Sequence, residues 1–196
     1  MYKDKINYLL GSIIILLLLV IVGIVLYNLE LRQNNFELEN ENILYKTLLK
    51  TNGDMNKISI DSQKAAGYYD EASFFYEIEE YTLTESNCRL AREYYSKESQ
   101  SYKGIKSELI DTGIEDKLIE IYIDLMESNI KITDNMFEAC EHFESAARYY
   151  NRLDYTMGGE EINMMNEKIR THDEAVGEYN QYMEDQRLEL KNRLKW

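Results

Sequence analysis

Two cysteines, two histidines and one well-placed glutamate are the side chains whose types and spacing could do chemistry. Cys88 and Cys140 are the only cysteines. They fall on two helices that turn back near Thr112, about four residues or 6 Å out of level along a helix. A small asymmetry of the turn would bring them within disulfide reach. A bridge on an extracytoplasmic domain and a pair of buried free thiols both fit that spacing. His142 and His172, the only histidines, stand equidistant from Met157. An antiparallel hairpin turning there would place them at one level, with Glu138 one helical turn before His142. Two imidazoles and a carboxylate could hold a metal such as zinc with one open position. The Glu-x-x-His pattern of di-iron bundles is absent, because Ala139 and Ile169 occupy the glutamate positions. Histidines held by hydrogen bonds at a core boundary are the commoner outcome on such faces.

The tyrosine pairs Tyr68-Tyr69, Tyr94-Tyr95 and Tyr149-Tyr150 each turn one ring inward. Rings lining a groove could stack on a ligand, whereas core packing with the hydroxyl at the surface needs no ligand. The sequence shows no Gly-rich phosphate loop, nucleophile elbow or Cys-x-x-Cys. No enzyme, catalytic residue or cofactor is therefore expected.

The elements that must position these residues read as helices throughout. Proline is absent and glycine totals nine, which suits long helices with short turns. In the first helix of the main domain, from about Asp61 to Glu79, Ala65, Tyr69, Ala72 and Tyr76 form one face. Glu80-Tyr81 is the expected turn, and Thr82 with Glu85 reads as a capping box. The second helix carries the seam Cys88, Ala91, Tyr95, Ser99, Tyr102, Ile105 and Leu109. It ends at Asp111-Thr112-Gly113, where Thr112 with Glu115 suggests another capping box. The third helix spans about Ile114 to Asp154. Met157-Gly158-Gly159 is the expected turn before a fourth helix marked by Ile162, Met165, Ile169, Val176 and Tyr179. The expected fold is all-α: an antiparallel bundle of about four long helices in residues 55–196.

Residues 8–27, YLLGSIIILLLLVIVGIVLY, carry no charge. Twenty residues of helix reach about 30 Å, the thickness of a bilayer's hydrocarbon core. Tyr8 and Tyr27 suit its two interfaces. A cleaved signal peptide would need a shorter apolar core and small residues at a cleavage site, yet the first alanine is Ala65. The expectation is a transmembrane anchor in contact with the lipid bilayer. Lys3 and Lys5 precede it and only Arg32 follows closely. The positive-inside rule then puts the tail 1–7 in the cytoplasm and the main domain outside the cell membrane. Residues 28–54 read as a helical stalk with a stripe at Leu31, Leu38 and Tyr45, fit for weak self-association. The stalk ends in a break at Asn52-Gly53-Asp54.

Shifting the chain by 74 residues lays Ala65, Tyr69, Ala72 and Phe75-Tyr76 on Ala139, Phe143, Ala146 and Tyr149-Tyr150. Glu80-Tyr81-Thr82-Leu83 falls on Asp154-Tyr155-Thr156-Met157. A duplicated helical hairpin is the expected origin of this register. Ala72, the aromatic Phe75, Tyr81 and Ala91 fit the signature positions of a helical hairpin that resembles a degenerate tetratricopeptide-type repeat. Thr84 and Cys88 depart from that family's pattern, and the 74-residue spacing is about twice its repeat. The resemblance implies a protein-interaction surface and no catalysis.

Charge narrows the partners. The chain carries 36 acidic against 22 basic residues, a net of −14. Phosphate backbones are bound by clustered Lys and Arg, so no nucleic acid partner is expected. The expected function is display of an anchored helical domain for protein–protein interaction or self-association. The alternative is an anchored receptor for a small ligand or metal ion, motivated by Ser99, Ser128, Asn135, His142 and His172 in or beside the seams.

Overall fold

The computed structural model describes the backbone of residues 2–194 and the side chains of residues 22–193. It holds four helices, α1 (Tyr2–Glu77), α2 (Tyr81–Asp111), α3 (Lys117–Asn151) and α4 (Tyr155–Leu194). The chain divides into two compact units, Met1–Lys46 and Thr47–Trp196. In the first unit every described side chain except Leu44 is exposed, Leu31, Leu38 and Tyr45 included. Among the described residues no helix is long and apolar enough to cross a membrane. Residues 8–21 of the expected span lie outside the residues whose side chains are described.

The second unit is an antiparallel bundle made by the end of α1 with α2, α3 and α4. Its core follows from an alternation of small and aromatic residues on α1 and α3. Ala65, Ala72, Ala139 and Ala146 are fully buried. Between them Tyr69 meets Phe143 at 5.9 Å between ring centroids, and Tyr76 meets Tyr150 at 5.7 Å. Alanine lets two backbones approach, and the rings fill the space left between the turns. Each of these contacts joins a residue to the one 74 positions further on.

The corners carry the same register. α1 and α3 end 74 residues apart, and so do the starts of α2 and α4. Both hairpins turn through one device. The amide of Glu80 donates to Phe75 O and that of Glu79 to Tyr76 O; Asp154 and Leu153 donate likewise to Tyr149 O and Tyr150 O. This is the Schellman closure, which needs a left-handed residue just past the helix. Glu79 (φ 62) and Leu153 (φ 60) fill that place without being glycine.

Four sequence expectations change here. The helix runs straight through Asn52-Gly53-Asp54. Burial of Leu48, Thr51 and Ile58, with the Tyr122 hydroxyl donating to Asn52 Oδ1 at 3.1 Å, outweighs the roughly 1 kcal/mol that a helical glycine costs. Thr82 is not a cap, since α2 starts at Tyr81 after Glu80, and the Schellman closure shapes the corner. Thr112 closes α2 instead of opening α3, whose N-cap is Asp116, accepting from the Leu118 amide at 2.8 Å. Gly158 and Gly159 lie inside α4.

The first of those glycines is set by packing. A Cβ on Gly158 would meet the Tyr150 ring at 2.8 Å, whereas one on Gly159 meets nothing within 4 Å. Tyr150 is held by Tyr76, Tyr81 and Tyr155 and has little room to move. Gly158→Ala should therefore lower stability by about 1–2 kcal/mol, while Gly159→Ala should raise it by about 0.5–1 kcal/mol. Opposite shifts of the urea midpoint check the pair; shifts of one sign would refute the packing account.

Candidate functional site

His142, His172 and Glu138, the candidate metal ligands weighed from sequence, are not brought together. α3 and α4 are joined at Arg152-Leu153-Asp154, earlier than Met157, which slides the two helices past the expected level. His142 Nδ1 lies 2.7 Å from Glu161 Oε2. Glu138 pairs with Lys168 at 2.5 Å, and His172 Nδ1 lies 3.0 Å from its neighbour Asp173. Thr171 instead bonds Asn135, so His172 stands roughly 10 Å along the axis from the level of His142. Among the described residues no three His, Cys, Asp or Glu side chains are grouped to hold a metal ion.

Cys88 and Cys140 enter the same core but remain separate thiols, both fully buried. The contacts Glu85–Arg148, Arg92–Glu141, Ser99–Asp134 and Lys106–Glu127 are all centred on the Asp116-Lys117 boundary. That centre lies later than Thr112, so the offset between the cysteines changes sign and does not vanish. It amounts to roughly 7 Å along the axis, which puts the Cα atoms beyond disulfide range. Burial pushes both thiols up, Cys140 to about 12. Unreduced protein, unfolded in denaturant with an alkylating reagent, should gain two adducts; a mass two protons short with no adduct would establish the bridge.

The side chain that sequence reading missed is Glu98. It lies on the α2 face that meets α1, 5% exposed, one turn from Tyr95 and one from Tyr102. The Ser62 hydroxyl on α1 donates to Glu98 Oε1. Oε2 is buried with no hydrogen-bond partner. Burial pushes the carboxyl up to about 7; the Ser62 hydrogen bond opposes the rise and the negative Asp61 adds to it. The buried Tyr95 and Tyr102 hydroxyls are pushed up as well, by desolvation first and by Glu98 among nearby groups. Its place three residues after Tyr95 and four before Tyr102 was the available signal.

Across α2 and α3 a groove of about 540 Å³ is lined by Arg89, Arg92, Ser96, Lys97, Phe137 and Glu144. Its two arginines are already engaged, Arg89 with Glu85 at 3.2 Å. Arg92 lies over the Phe137 ring at 4.8 Å and donates to Glu144 at 2.7 Å and Glu141 at 3.1 Å. Buried Glu144 also accepts from Arg148 at 2.8 Å. The arrangement locks α2 to α3, a structural use of charge.

An apolar surface lies at the pole formed by the two Schellman corners. Tyr76, Tyr81, Tyr150 and Tyr155 interlock there, with Tyr81 stacked on Tyr150 at 5.3 Å. Tyr155 is exposed, as are Phe74, Ile78, Leu83, Leu153 and Met157 near the same corners, Leu153 by 71%. Compared with protein-family models, with curated proteins and with solved structures, the chain matches none.

Proposed function

We propose that this chain is a single-pass membrane-anchored protein that presents its helical bundle for binding to another protein. The apolar pole of the bundle is the observation that carries the reading. Large apolar side chains gathered on one rigid face mark an interaction surface more often than chance exposure does. The uncharged run 8–27 supports the anchor, and Lys3 and Lys5 before it support a cytoplasmic tail with the bundle outside the cell. The two hairpins, alike in corner and core, are read as copies of one unit related to helical-hairpin interaction repeats.

The ligand-receptor alternative has less behind it. Three of its five polar candidates are bonded within the bundle: Ser99 donates to Asp134 at 2.5 Å, Asn135 accepts from Thr171 at 3.3 Å, and His142 joins Glu161. In-cell crosslinking of the full-length chain, followed by purification and mass spectrometry, tests the proposal. A stoichiometric second protein joined to residues 47–194 is the expected result. Self-crosslinks alone would overturn it in favour of a self-associating spacer.

A further inference from the structure

Resting on that reading, we propose that the pole docks a cationic amphipathic segment of the partner protein, one that pairs apolar side chains with Lys or Arg. The argument is one of complementarity. Exposed Glu77, Glu79, Glu80, Asp154 and Glu160 stand at or within a few residues of the same two corners. None of them has a cationic partner among the ion pairs of the described residues, and Arg152 is the one exposed, unpaired cation at the corners. Apolar contact supplies affinity, and unpaired charges at a rim select the sign of what approaches.

The same charge pattern argues against the other occupants. A second copy of this chain would set acid against acid, which costs several kcal/mol in like-charge contact. An anionic membrane surface would be repelled for the same reason. A basic segment meets neither obstacle. The interlocked tyrosines add a preformed floor, so little side-chain ordering is needed on this side of the contact.

The probe is a photoreactive helical peptide of leucine and lysine, with a leucine and glutamate twin, added to the full chain in zwitterionic nanodiscs. The lysine peptide should bind and crosslink to residues at the two corners, and the twin should not. Leu153→Asn retains a residue suited to the left-handed corner, and together with Ile78→Ser it should weaken binding about tenfold or more. Ile110→Ser, exposed at the opposite end of α2, should leave binding unchanged. Glu77→Gln with Glu80→Gln should flatten its salt dependence. Equal loss in the Ile110 variant, crosslinks away from the corners, or crosslinking of the pole to a second copy would overturn the proposal. A cellular partner crosslinked to another face of the bundle would remove the pole and leave the interaction reading standing.

Discussion

Replacing Glu98 by methionine should raise the thermal midpoint at pH 8 by roughly 5–10 °C. The gain should shrink toward zero as pH falls below 5. The sign follows from proton linkage. Burial holds the folded carboxyl near 7, above its ordinary value of 4.5, so the folded state binds the proton more tightly than the unfolded chain. That contribution is fully present below about 4.5 and is lost as pH rises through 7. At pH 8 the folded protein holds a charge in the core with one oxygen unpartnered, a burden of roughly 2–3 kcal/mol. Methionine keeps the unbranched shape and removes the charge. Ser62 is not stranded by the change, since its hydroxyl already lies 3.3 Å from Ile58 O. Melting curves of both proteins from pH 5 to 8 decide the matter. Parallel curves would mean that Glu98 is solvated and titrates as an ordinary glutamate.

Phe143→Ala should cost more, about 3–5 kcal/mol in urea unfolding. Phe143 is 3% exposed and touches Tyr69 at 5.9 Å and Tyr76 at 5.2 Å. The core cluster around it includes Ala65, Ala72, Ala91 and Ala139, which have no length with which to fill a void. Relaxation is therefore small, and the upper half of the range is expected. Phe74→Ala, 57% exposed one turn away on α1, should cost less than about 0.5 kcal/mol. Similar losses in the two variants would mean that the ring layer between α1 and α3 is not the centre of the core.

The helices and their buried faces were legible because small and aromatic residues recur every three or four positions. Ala65, Tyr69, Ala72 and Tyr76 lie where that period puts them. The corner near Glu80 was legible in place but not in mechanism, and the next one lies earlier than the expected Met157-Gly158-Gly159. Non-glycine residues close both Schellman turns, and no local residue type announces a left-handed Glu79 or Leu153. Gly158 has the opposite history: its composition suggests a turn, and its cause is the Tyr150 ring on another helix. Glu98 was hidden because a charge beside a seam reads as solvent-facing; only the meeting of α1 and α2 buries it. The metal reading failed on register, since a connection a few residues earlier carried His172 away from His142.

The short corners also bear on how the bundle assembles. Each hairpin joins helices that are neighbours in sequence, so most of its contacts close over small loops at low entropic cost. The contacts of Tyr69 with Phe143 and with Met165 join the two hairpins across long stretches of chain. The two hairpins are thus expected to form first and independently, and the ring layer between α1 and α3 to close last. In the terms of folding kinetics, substitutions in that layer should chiefly speed unfolding, while those within a hairpin should slow folding.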